Sequence, residues 1–136
     1  MKFASIRLVT SDPASVDTLV SFYTRLTGVA AMRPVPDFAE LRFAGLVLAI
    51  STERMVQQFN AGAARAAANQ SAILEFEVDD VDALHQRLGD ATLDIAMPPT
   101  TMPWGNRSML LRDPDGNVVN VFSRPVAKLQ EAPHAA

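Results

Sequence analysis

The chain contains no cysteine. Disulfides, thiolate catalysis, zinc held by thiolates and iron–sulfur clusters are therefore excluded at once. It has two histidines, His85 and His134, and one tryptophan, Trp104. No run of Lys and Arg occurs and the formal net charge is −3, so neither nucleic acid nor an anionic membrane is an expected partner. The longest apolar runs, such as Leu46 to Ile50, are far too short to cross a bilayer. The opening MKFASIRLVTSD has no extended apolar stretch. It reads as a strand, not as a signal peptide, and a cytoplasmic location is the expectation.

What is present is the composition of a globular domain, 136 residues with 49% hydrophobic and 20% charged. The same pattern occurs twice. Phe3 to Thr10 is β-rich, and Ser11-Asp12-Pro13 supplies an N-cap and a proline for a first helical turn. Val16, Leu19, Val20, Tyr23 and Leu26 follow at helical spacing up to Gly28. A weak strand is expected near Val29 to Arg33, then a hairpin of Ala39 to Phe43 and Leu46 to Ile50 around Ala44-Gly45. In the second half Ala72 to Val78 is a strand, and Asp79 or Asp80 caps a helix with Val81, Leu84 and Leu88 that ends at Gly89. A weak strand over Thr92 to Ala96 precedes two apolar runs, RSMLL and VVNVF, joined by Asp113-Pro114-Asp115-Gly116. Pro114 presets φ at the turn's first corner and Gly116 can take the positive φ that closes it. The expected layout is a single domain: module one at 1–54, a linker with some helix at 55–70, module two at 71–124 and a loose tail at 125–136.

The capped helices, the FYTRLTG stretch at 22–28, FEVDDVDAL at 76–84 and PWGNRSMLLRDPDGN at 103–117 together resemble the vicinal oxygen chelate superfamily. That group includes glyoxalase I, extradiol dioxygenases and the bleomycin-resistance binding proteins. The resemblance covers residues 1 to about 124. It implies an α+β fold of two paired βαβββ modules, a cupped mixed β-sheet with helices outside and a ligand cavity within. It also implies a homodimer, because paired modules often complete the cup with a second copy.

Enzymes of that family carry His and Glu metal ligands on the cavity face. Carried over, those positions are Ser5, Ala49, Ile73 and Asn120 in this sequence. None is His, Asp or Glu, and Asn offers one neutral carbonyl oxygen. No metal or other cofactor is therefore expected. His85, beside core leucines on the second helix, reads as a solvent-facing residue, and His134 sits in the tail.

Strand alternation assigns the cavity face. With Ser5 go Arg7 and Val9; with Ile73 go Glu75 and Glu77. Asn120 should share its face with Val118 and Phe122, and with Met109 and Arg107 of the neighbouring strand unless a bulge shifts the register. The first hairpin offers Phe38, Glu40, Arg42, Val47 and Ala49. Arg7 and Glu75 hold equivalent places in the two modules, either as an ion pair between modules, the favoured reading, or as a charged handle for a ligand. Trp104 is either a rim aromatic that stacks on a ligand or a lid over core surface. Met32, Met97, Met102 and Met109 would form an adaptable wall if they converge.

The candidate ligand-binding set is thus Arg7, Glu40, Arg42, Ala49, Glu75, Trp104, Arg107, Met109 and Asn120, with no catalytic residue among them. The expected function is metal-free sequestration of a small aromatic or amphipathic molecule. The alternative is a glyoxalase- or dioxygenase-like enzyme using an unrecognised metal site, or acid–base chemistry by Glu75 or Glu77. A third reading is an interaction module with a vestigial cavity.

Overall fold

The first turn of the chain's longest helix is fixed locally. Asp12 is extended and its Oδ1 accepts from the Ser15 backbone N–H at 2.8 Å, while Pro13 opens the helix. In the computed structural model, which describes residues 1–125, the order is β1 (Ser5–Thr10), α1 (Pro13–Thr27), β2 (Met32–Val35), β3 (Phe38–Phe43), β4 (Leu46–Thr52), α2 (Glu53–Phe59), β5 (Ile73–Glu77), α3 (Val81–Leu88), β6 (Asp94–Thr101), β7 (Arg107–Arg112) and β8 (Val118–Ser123). The second module's cap falls on Asp80, which accepts from Ala83 N–H. The two weak strands form later than the sequence suggested, at 32–35 and 94–101. The tail beyond 125, with His134, lies outside the described residues. By contacts the chain divides into two compact units, Met1–Gln70 with Pro114–Gly116, and Ser71–Asp113 with the chain from Asn117.

Each unit is an α+β module holding one open four-stranded mixed sheet. In the first the strand order is β1-β4-β3-β2, and in the second β5-β8-β7-β6. The first and last strands of each βαβββ pattern run parallel, β1 with β4 and β5 with β8, and the hairpin strands pair antiparallel. Both outer strands β2 and β6 carry proline, Pro34 and Pro98-Pro99, which removes N–H donors from an exposed edge.

One face of each sheet makes the core. In the first unit Leu8, Leu41, Leu48 and Ile50 are buried with Val16, Leu19, Tyr23 and Leu26 of α1. In the second Leu74, Val119, Val121, Met109 and Leu111 are buried with Val81, Leu84 and Leu88 of α3. Each such side chain contributes about 1.5–3 kcal/mol on leaving water. The alternate residues, Ser5 and Arg7 on β1 and Ile73, Glu75 and Glu77 on β5, stay exposed. These are the residues that alternation placed away from the helices.

The β7–β8 turn is held by a buried clasp. Asp113 accepts from the Asn117 backbone N–H through Oδ1 (2.9 Å) and from Asn117 Nδ2 through Oδ2 (2.8 Å). The Asp113 N–H in turn donates to the Asn117 carbonyl at 2.9 Å. Gly116 sits at φ +84°, as the turn requires.

Candidate functional site

The face of the second sheet opposite α3 is built from three rows of directly paired residues. The middle row runs Glu75, Asn120, Leu110, Met97; a flanking row runs Ile73, Val118, Arg112, Asp94; the other begins Glu77, Phe122, Ser108. Asn120 is the hub of the middle row. Its Nδ2 donates to Glu75 Oε2 at 2.8 Å, and its Oδ1 is shut off from solvent with no hydrogen-bond partner. Glu77 is engaged by Arg124 Nε at 3.2 Å, and the Arg124 guanidinium lies 5.3 Å over the Phe122 ring. At the opposite end Arg112 reaches Asp94 at 3.3 Å. Among the described residues Glu75 makes no ion pair. Around these groups Val118, Leu110, Phe122 and Met97 are half-buried and Ile73 is 54% exposed.

Two expectations about this face need correction. Direct pairing joins Asn120 to Leu110 and Val121 to Met109. Met109 therefore points to the helix side, where it is fully buried. Arg107 lies on that side too, and its Nε and Nη2 hold Asp82 of α3 at 2.7 and 3.1 Å while Nη1 donates to Thr101 Oγ1 at 3.1 Å. The reason is parity. Arg112 pairs with Val118 across a five-residue connection, so residues of equal parity face each other, and a shift of one exchanges every side chain between faces. The Arg107 fork holds the Asp82 carboxyl below the usual carboxylate range, and Arg107 serves as a tie between sheet and helix.

The first sheet brings a different set together. Arg7, Ala49, Glu40 and Met32 pair in one row, and Ser5, Val47 and Arg42 in the next. Arg42 Nη2 donates to Glu40 Oε1 at 3.1 Å, and Arg7 Nη2 donates to the side-chain oxygen of Asn60, the residue that ends α2, at 2.7 Å. Ala49 is only 3% exposed, so it offers a floor and no polar contact. Arg7 and Glu75 thus each have a hydrogen-bond partner within their own unit, Asn60 and Asn120. Ser51 is buried on the same face, its Oγ without a partner.

Trp104 lies in the turn between β6 and β7, where Met102 N–H donates to the Asn106 carbonyl, and it is 64% exposed. Met32 is exposed on β2, Met97 lies opposite Leu110, and Met109 is in the core. His85 is engaged by Asp90 just past the end of α3.

The positions that the resemblance assigns to metal ligands do not fit a divalent cation. Ala49 and Ile73 have no donor atom, Ser5 has one neutral hydroxyl, and Asn120 has one carbonyl oxygen. Among the described residues no group of three or more His, Asp or Glu side chains converges to hold a metal.

Sequence reasoning passed over Asn60, Asp37 and the Asp113–Asn117 clasp. Asp37 accepts from Thr52 Oγ1 at 2.6 Å and from Arg54 Nη2 at 2.7 Å. The Arg54 and Thr52 hydrogen bonds hold its carboxyl below its ordinary range. Of the three, only the clasp had a readable signal, an Asp opening a Pro-Asp-Gly-Asn turn.

Among curated proteins none shows significant similarity to the chain. Solved structures do. A glyoxalase-related enzyme from Fulvimarina pelagi is 25% identical, with 93% of this chain and 90% of that one covered at a TM-score of 0.76. A glyoxalase/bleomycin resistance protein/dioxygenase family enzyme from Burkholderia phytofirmans is 18% identical, covering 92% and 100% at 0.74. A glyoxalase/bleomycin resistance protein/dioxygenase from Nocardioides is 22% identical, covering 91% and 83% at 0.73. No helix among the described residues is long and apolar enough to cross a membrane. The family model for the Glyoxalase/Bleomycin resistance protein/Dioxygenase superfamily matches residues 2–121, and the chain belongs to that superfamily.

Proposed function

We propose that this protein is a metal-free small-molecule binding protein of the glyoxalase/bleomycin-resistance type, which holds a small aromatic or amphipathic ligand on the helix-free face of its second sheet. The observation that carries this reading is the make-up of that face. Ile73, Val118, Leu110 and Phe122 offer apolar surface around the Glu75–Asn120 pair, with the Glu77–Arg124 and Arg112–Asp94 ion pairs at its two ends, a mixture found in ligand sites. Binding here needs no bond-making group. The Glu75 and Glu77 side chains are engaged by Asn120 and Arg124. Homodimerisation belongs to the same proposal and is checked by light scattering.

A thermal-shift screen tests the function. One arm adds Zn²⁺, Ni²⁺, Mn²⁺ or Fe²⁺, and the other a panel of flat hydrophobic compounds. Stabilisation by compounds and not by metals is expected, because a ligand that binds only the folded state raises the midpoint by mass action. Stabilisation by metal alone overturns the proposal.

A further inference from the structure

The polarity of the Glu75–Asn120 pair restricts what can bind there. The amide must turn its Nδ2 toward the Glu75 carboxylate, since the reverse orientation would set oxygen against oxygen. That choice leaves Asn120 Oδ1 as an acceptor with no donor, closed off from solvent. A shielded acceptor without a partner is a standing cost in the free protein. The second oxygen of Glu75 is also an acceptor. Two further carboxylates on this face, Glu77 and Asp94, already have guanidinium partners in Arg124 and Arg112. The middle row therefore asks for hydrogen-bond donors and for positive charge.

We infer that the second sheet face selects a cationic N–H donor, an alkyl- or arylammonium whose ammonium head bonds Glu75 and Asn120 Oδ1 and whose hydrocarbon part lies on Ile73, Val118, Leu110 and Phe122. The inference rests on the reading of this face as a ligand site and adds the ligand's charge and polarity. An anionic guest would meet the Glu75 carboxylate directly. A neutral alcohol can supply one donor but no charge. Apolar contact with Ile73 and Phe122 would serve all three kinds of guest alike, and the guanidinium groups of Arg112 and Arg124 are already matched by Asp94 and Glu77, so the Glu75–Asn120 pair decides among them. Binding must open access to Oδ1, and the ligand N–H then supplies the missing hydrogen bond.

The test uses the full chain and three probes with one phenyl group and one short linker: phenethylamine, 2-phenylethanol and phenylacetate. Binding is followed by amide chemical shifts of residues 73–77 and 118–122. Phenethylamine is expected to bind roughly tenfold more tightly than phenylacetate, the scale of one hydrogen bond to a charged group. Glu75→Gln keeps an acceptor for Asn120 Nδ2 and removes the charge, so it should abolish that preference at an unchanged thermal midpoint. Asn120→Ala should weaken phenethylamine and leave phenylacetate unchanged. Equal binding of all three probes at these residues overturns the cation preference and leaves the binding reading standing. Failure of phenethylamine to shift these residues also overturns it. The binding reading falls as well only if the flat hydrophobic panel leaves the midpoint unmoved.

Discussion

Replacing Asp113 should unlock the hairpin that carries Asn120. The side chain is 4% exposed and accepts two hydrogen bonds from Asn117, itself 4% exposed. Asp113→Ala leaves a backbone N–H and a side-chain amide buried without these acceptors. Each loss of a hydrogen bond to a charged group costs about 1.5–3 kcal/mol, so the pair should cost about 3–6 kcal/mol. Against a typical domain stability of about 5–15 kcal/mol this is a large fraction. It corresponds to a midpoint lowered by roughly 10–20 °C for a chain of this size. Asp113→Asn keeps one acceptor for the Asn117 N–H but sets its own NH₂ against Asn117 Nδ2, so it should lose about half as much. Urea unfolding at fixed pH measures both, with the slope checked for constancy. A loss below about 1 kcal/mol for Asp113→Ala would refute the reasoning, because two buried donors cannot be abandoned so cheaply.

Asp37, with its carboxyl held low by Arg54 and Thr52, contributes stability that is present above its unfolded value and lost as pH falls through its folded one. The stability gap between wild type and Asp37→Asn should therefore be full near neutrality and close in acid; urea midpoints across pH 2–7 check it. Gly105 sits at φ +99°, and an added Cβ would lie 2.9 Å from Pro125 Cγ. Gly105→Ala should then cost more than about 1 kcal/mol, the usual penalty of a strained backbone alone, and a thermal midpoint measures it. Met109→Ala should cost about 2–5 kcal/mol as a core cavity, whereas Leu110→Ala should cost less and weaken hydrophobic probes in the thermal-shift screen. The reverse order would mean that the β7–β8 register differs by one residue.

Most of the fold was readable because its signals are local. Asp12-Pro13 and Asp80 start helices by capping their own backbone N–H groups, and Gly116 closes a turn by its φ. Alternation on β1 and β5 needs nothing beyond the strand itself, and Arg7 and Glu75 lie on the exposed side, opposite buried Leu8 and Leu74. Arg107 and Met109 were misplaced because their face depends on how two strands register, which the length and bulging of the connection decide. The edge strands β2 and β6 were only partly legible. Their prolines and bulges blur the period-two pattern that marks a half-buried strand. Arg7–Asn60 was not readable at all, since it joins a strand to the end of a helix far along the chain.

The register also ties the fold's stability to the candidate site. Asp113 and Asn117 lock a five-residue connection, and that connection makes Leu110 the neighbour of Asn120. A slip by one residue would put Met109 beside Asn120 and push Leu110 into the core. The same slip would pull Arg107 away from Asp82 of α3, where its fork now lies flat against the carboxylate. The Arg107–Asp82 tie and the Asp113–Asn117 clasp thus act at opposite ends of β7, and both oppose the slip. Because side chains alternate along a strand, a lock on parity at the two ends of β7 holds Leu110 beside Asn120. Asn120 meets Glu75 through the separate β5–β8 pairing, its Nδ2 on the carboxylate and its Oδ1 closed off from solvent.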